Sequence, residues 1–223
     1  MRYVFIFLSI VFMHLQASDI LKEFDKKRIN TDEGKVELSI SSFKKNKTKT
    51  KEYSVFRKDN KSLVAFMHKS EKGTVVLNSL NNLYIKVPSS KKAIRITPIQ
   101  RLLGDASIGD ILELSFDKYY DLKEKNEDKY ILIAKEKTST YHRINLYTKS
   151  DRLDYAELFS YSGKLLKTVH YIYNEKQEID KYKFVSKSSY SIVHIKKVRD
   201  MKLPNRLFKK SNIKKAFKNA ISL

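Results

Sequence analysis

From Lys35 onward the chain is built of short runs in which every second side chain is apolar, each run closed by a polar turn. Lys35-Val36-Glu37-Leu38-Ser39-Ile40-Ser41 sets the pattern, the mark of a strand with one face buried. Glu52–Arg57, Ser62–His68, Gly73–Asn78, Leu83–Val87 and Ala93–Ile96 follow, with a charged turn expected over Lys44–Lys51. After an interruption come Lys129–Ala134, Tyr141–Tyr147, Leu153–Tyr161, Lys164–Tyr173, Lys181–Ser186 and Tyr190–Val198, with Ser162-Gly163 as a tight turn. Strands of this length at about 8–12-residue spacing predict antiparallel sheet. The expected fold is mainly β (α+β): a strongly curved antiparallel sheet of about 10–11 strands.

The pattern breaks between Thr97 and Tyr120. Pro98 can open a helix whose apolar side holds Ile99, Leu102 and Leu103 until Gly104 ends it. Ser107 then caps a second short helix through Ile111, Leu112 and Leu114. Two more amphipathic helices are expected at Asp19–Asn30 and, with a basic face, at Ser211–Leu223. The short helices would plug or cover the concave face of the sheet. No internal repeat or linker divides residues 18–223, so a single domain is expected there.

The first residues carry a different message. Arg2 precedes an apolar run from Tyr3 to Met13, and Leu15-Gln16-Ala17 closes the stretch. A cation, a short apolar core and a small residue at the cut make a secretory signal, with cleavage expected after Ala17. The run falls short of the roughly 20 residues of a membrane span; the alternative is an uncleaved anchor. The chain has no cysteine. It therefore has no disulfide, no thiolate metal site, and no residue on which a bacterial lipid anchor could be built.

The formal charge is +21, a balance that raises nucleic acid as a partner. Export argues against that, and the basic residues are mostly lysine, whereas phosphate readers favour the arginine fork. The excess is either compositional bias or attraction to anionic lipid surfaces. Catalytic signatures are missing from the sequence: no HExxH, GxSxG or phosphate loop occurs. His14, His68, His142, His170 and His194 are scattered. The expectation is a protein that is not an enzyme and needs no cofactor or metal.

One region resembles a known family. Leu83-Tyr84-Ile85-Lys86-Val87-Pro88, Ile94-Arg95-Ile96 and the loop Gln100-Arg101-Leu102-Leu103-Gly104-Asp105-Ala106-Ser107-Ile108-Gly109-Asp110 are similar to the LolA-like outer-membrane lipoprotein-sorting proteins. Tyr161-Ser162-Gly163-Lys164-Leu165-Leu166-Lys167 resembles the family's late hairpin, and Phe208-Lys209-Lys210-Ser211-Asn212-Ile213 its terminal segment. The proline expected before the late strand pair is absent around Asp180–Lys183, and the terminal threonine is Lys209.

The resemblance implies that the curved sheet forms an open, incomplete barrel, and that the protein is a monomeric periplasmic carrier. It would take acylated lipoproteins from an inner-membrane ATP-driven extractor to an outer-membrane acceptor, which is either a receptor or the lipid surface. Another envelope lipid carried beside a large transporter, or a lipoprotein-sensing module of the same fold, stays open. A carrier must hide acyl chains whose burial is worth about 0.8 kcal/mol per methylene. The expected cavity walls are the inward positions Leu38, Ile40, Val55, Leu77, Ile94, Ile96, Ile144 and Leu146. Leu102, Leu103, Ile111 and Leu112 are expected in a movable lid hinged at Gly104 and Gly109, and Arg101, Asp105 and Asp110 as its charged latch, unless they are merely a helix cap and an ion pair.

Overall fold

The computed structural model describes residues 19–28, 31–45, 47–59, 61–79, 82–112, 115–137 and 139–223. The signal expected at residues 1–17 lies outside them. The chain makes two up-and-down meanders. The first runs β1 (Glu33–Lys44), β2 (Lys47–Lys58), β3 (Lys61–Phe66), β4 (Val75–Ser79), β5 (Asn82–Lys86) and β6 (Ile94–Ile96). The second runs β9 (Tyr120–Asn126), β10 (Lys129–Ala134), β11 (Arg143–Lys149), β12 (Arg152–Phe159), β13 (Leu165–Tyr173), β14 (Ile179–Val185) and β15 (Tyr190–Asp200). Antiparallel pairing of β1 with β15 joins them into one 13-stranded sheet whose edges are β6 and β9.

The sheet is not closed. Its edges discourage further pairing, since β6 has only three residues and β9, YDLKEKN, is heavily charged. Irregular register between Glu37 and Leu38, and again in the β9–β10, β11–β12, β12–β13 and β13–β14 pairs, sharpens the bend.

This topology explains the interruption. The first meander ends at one edge and the second begins at the other, which in a flat sheet would lie nearly 60 Å apart at ~4.8 Å per strand. The connecting segment has to cross the concave face. It does so as a two-stranded hairpin, β7 (Arg101–Leu103) with β8 (Ala106–Ser107), followed by α2 (Ile108–Leu112) and α3 (Phe116–Tyr119). The helix expected to end at Gly104 is therefore a β-hairpin. Gly104 is its turn, at φ +57°, and the neighbouring pairs Arg101–Ser107 and Leu103–Ala106 satisfy backbone groups as ladder bonds instead of helical ones.

Two further expectations change. The charged stretch Lys44–Lys51 is mostly strand, because β1 and β2 continue as a long ribbon down to the Lys44–Lys47 pair. The count also exceeds 10–11, in part because the charged strand β9 carries almost no apolar alternation.

Burial divides the apolar residues between two faces. On the inner face, Val36, Leu38, Ile40, Val55, Val64, Val76, Ile144, Leu146 and Val193 join one core with Leu21 and Phe24 of α1 (residues 19–28) and with the crossing segment. Phe24 packs edge-on to Tyr130 at 5.1 Å. On the outer face, Phe56, Leu63, Val75 and Leu77 form a second core under Leu203, Leu207, Phe208 and α4 (Ile213–Ile221). Strands β2 to β4 are thus buried on both sides, which is why SLVAF and TVVLN read as continuous apolar runs.

Candidate functional site

A cavity of about 710 Å3 lies between α1, the crossing segment and the inner faces of β1, β2, β14 and β15. Val36, Leu38, Val55, Ile179, Phe184, Val193 and Ile195 supply apolar wall, and Ile111 of α2 closes part of it. The mouth lies at the end of the sheet where the turns around Ser150–Asp151 and Asn174–Gln177 meet Lys26 and Lys27 of α1.

The crossing segment is held in place by buried polar contacts. Ser107 N–H (2.6 Å) and Ser107 Oγ (2.9 Å) donate to Asp110 Oδ2, and Asp110 N–H donates to Ser107 Oγ at 3.3 Å. That reciprocal box caps α2. Lys167 Nζ, from β13, donates to Asp110 Oδ2 at 2.5 Å and to the Asp105 carbonyl at 2.7 Å. Tyr141 OH donates to Asp110 Oδ1 at 2.5 Å. Burial, reinforced by the Asp110 charge, holds the Tyr141 phenol well above its ordinary range, so it stays a donor. The Asp105 carboxylate accepts from Ser186 Oγ and Ser189 Oγ, both at 2.8 Å, and Asp105 N–H donates to Ser191 Oγ at 2.8 Å.

Glycine permits the close seating. A Cβ on Gly104 would lie 2.1 Å from Ser42 Oγ and 2.4 Å from Ser191 Oγ, the facing pair of β1 and β15. One on Gly109 would lie 2.0 Å from Thr140 Oγ1.

At the other side, α1 is tied to α3. Asp25 accepts from Phe116 N–H (2.6 Å), Asp117 N–H (3.0 Å) and Ser115 Oγ (2.8 Å). Burial raises the Asp25 carboxyl above its ordinary value, although Arg28 and these hydrogen bonds pull the other way. The Arg28 guanidinium lies 3.9 Å over the Phe116 ring and 3.6 Å from Asp25. Arg57 stands beside it on the cavity wall, where burial pushes its guanidinium below the ordinary range while Tyr119 and Asp25 act in the opposite sense.

The residues singled out in the sequence are dispersed over these surroundings. Leu38, Val55 and Ile111 reach the cavity wall. Ile40, Ile144, Leu146 and Leu112 are buried in the inner core, and Ile96, Leu102 and Leu103 pack half-buried against it. Leu77 faces the outer core instead, because the β3–β4 register pairs it with Leu63 on that side. Ile94, on edge strand β6, is 59% exposed. Asp105 and Asp110 sit in the polar network above; the Arg101 side chain lies outside the described residues. Phe184, Val193 and Ile195 were readable from alternation in β14 and β15. Lys167, Tyr141 and the Ser186, Ser189 and Ser191 group carry no sequence signal, since they reach Asp105 and Asp110 from distant strands.

Among the described residues, no three His, Cys, Asp or Glu side chains gather to hold a metal ion, and no helix is long and apolar enough to cross a membrane. A family model described as "Uncharacterized protein" matches residues 58–215. Among solved structures, a LolA superfamily protein from Nitrosomonas europaea is 26% identical, with TM-score 0.77 over 87% of this chain and 98% of that one.

The chain belongs to the LolA-like family.

Two more distant structures share the LolA-like fold. A DUF1329 family protein from Desulfovibrio piger is 18% identical, with TM-score 0.68 over 90% of this chain and 98% of that one. An outer-membrane lipoprotein-sorting protein domain from Vibrio parahaemolyticus is 15% identical, with TM-score 0.67 over 90% and 99%. No curated protein matches the sequence.

Proposed function

We propose that this LolA-like protein is a periplasmic carrier that shelters the acyl chains of a lipoprotein or another envelope lipid, and that it is not an enzyme. The observation that carries this reading is the cavity of about 710 Å3, apolar on most of its wall, beneath a segment held by side-chain bonds. Each methylene moved from water into such a wall gains about 0.8 kcal/mol, so a chain of fatty length binds without a covalent link. An export signal at residues 1–17 puts this activity between two membranes. Its partners are an inner-membrane ATP-driven extractor and an outer-membrane acceptor. Leu38, Val55 and Ile111 serve as wall, the remaining singled-out inner-core residues as its backing, and residues 101–112 as the lid, with Asp105 and Asp110 latching it.

The size of the cavity favours keeping the second cargo in view. At ~30 Å3 for each methylene-sized group, close to a water's share of liquid volume, about 710 Å3 holds roughly two dozen such groups. That is one long acyl chain and part of a second. A triacylated lipoprotein needs the lid displaced, whereas a lipid with one or two chains needs little or no movement.

Mass spectrometry of apolar material that copurifies with the protein from its native periplasm tests the reading. Triacylated peptide supports lipoprotein carriage, free lipid supports the second cargo, and protein free of any acyl species argues against both. Depletion in the native cell adds an independent measurement: lipoproteins accumulate at the inner membrane if the first reading holds.

A further inference from the structure

The mouth of the cavity is not neutral. Seven lysines and arginines line the cavity as a whole against four carboxylates. One of those carboxylates, Asp110, is already engaged by Lys167 and Tyr141. Arg28 is the most buried of these cations and is already engaged by Asp25, whereas Arg57 is half-buried on the same lining. Val55, two residues back along β2, lies on the same face toward the interior, and Gly34 pairs with Arg57 near the start of β1, so its guanidinium stands where apolar wall gives way to the rim.

Among the described residues the Arg57 side chain makes no hydrogen bond or ion pair; Tyr119, Asp25 and Asp32 act on it only at a distance, and Arg28 repels it. A guanidinium partly withdrawn from water without a bonded anion is costly, and folds retain such groups where a partner supplies the missing charge. Arginine is suited to that partner when it is a phosphate or carboxylate, which its planar fork grips through two parallel bonds. Lys26 and Lys197 are placed on the same lining to add charge around it.

We propose that the cargo is an anionic amphiphile: an acyl chain enters the cavity, and the phosphate or carboxylate of its headgroup is bound at the mouth by Arg57, with Lys26 and Lys197 around it. This rests on the carrier reading and names the chemical class of the cargo. It also sets the direction of loading, tail first toward Ile111 and Phe184, with the headgroup left at the rim.

The test uses the full mature chain loaded with the neutral dye N-phenyl-1-naphthylamine, displaced by four amphiphiles sharing a palmitoyl chain. These are lysophosphatidylglycerol, palmitate, lysophosphatidylcholine and monopalmitoylglycerol. The two anionic competitors should displace the dye at concentrations at least about tenfold below the neutral glyceride, the scale of one charge-assisted hydrogen-bond pair. Inorganic phosphate alone should leave the dye in place. Arg57→Gln should remove most of the anionic preference, read as the ratio of the half-displacement concentrations of monopalmitoylglycerol and the anionic competitors, and Arg57→Lys should keep part of it. Circular dichroism and an unshifted thermal midpoint show that the variants are folded.

Equal displacement by neutral and anionic competitors overturns the proposal and leaves the carrier reading standing. A preference that survives in Arg57→Gln overturns the assignment to this residue. Failure of the dye and all four amphiphiles to bind removes the carrier reading and this proposal together.

Discussion

At the scale of single residues, the decisive contact is Lys167 with Asp110. The Asp110 side chain is 1% exposed and that of Lys167 9%. Removing one partner of so buried a pair leaves an uncompensated charge and costs about 3–5 kcal/mol. Lys167→Met should therefore lower the urea midpoint sharply. The double variant Lys167→Met, Asp110→Asn should recover part of the loss, because the amide oxygen still accepts from Ser107. Equal midpoints for Lys167→Met and the unaltered protein would show the pair to be dispensable. Gly104 is the second such position. Alanine there must adopt φ near +57° and meets Ser42 and Ser191. The backbone cost alone is about 1–2 kcal/mol. Gly104→Ala should melt at lower temperature and take up a neutral dye faster, since the collision is relieved by lifting the hairpin off the sheet.

At the scale of elements, the outer core depends on one seam. Glu33, at the start of β1, accepts from Leu203 N–H at 2.6 Å and from Lys58 Nζ at 2.9 Å. The Leu203 amide, then Lys58, hold its carboxyl below the ordinary glutamate value. A group with a lowered folded value stabilises the fold above its unfolded value and loses that contribution as pH falls through the folded one. Protection factors of the amides around residues 201–208, which allow for the pH dependence of intrinsic exchange, should accordingly fall as pH drops below the ordinary glutamate value of about 4.3, and Glu33→Gln should flatten that response. The seam anchors the chain just before Leu203, Leu207, Phe208 and α4 cover Phe56, Leu63 and Leu77. A chain ending at residue 202 should aggregate, because it bares a continuous apolar face on β2 to β4; a monodisperse, soluble truncation would contradict this.

At the scale of the whole molecule, the crossing segment couples cavity volume to sheet shape. It connects the two edges of the sheet and forms part of the cavity wall through Ile111, so enlarging the cavity means moving it. Hydrogen exchange read by mass spectrometry should separate cargoes. A single-chain amphiphile should protect residues 101–112, whereas a triacylated peptide should raise their exchange while the β1–β15 seam stays protected. Identical protection by both ligands would mean that the segment does not open.

Much of this was legible in residues 35–198 read one after another. Alternation placed most of the strands, and the break at Thr97–Tyr120 marked the crossing segment, because period is a local property that each strand carries in its own side chains. The sheet's openness followed from the resemblance around Gln100–Asp110, and its concave cover from the short helices expected in the interruption. Other features were decided only by tertiary contact. Arg101–Leu103 has enough apolar character for a helix, yet pairing with Ala106–Ser107 makes it strand. Leu77 alternates correctly but faces the outer core, since where both faces of a strand are apolar the sequence does not say which is concave. Lys167 is 57 residues from Asp110 and Ser189 is 84 from Asp105, and only folding brings such distant polar groups together. Sequence thus determined the elements, whose causes are local. The tertiary structure decided which face encloses the cavity and which distant charges meet over it, because both depend on how far the whole sheet bends.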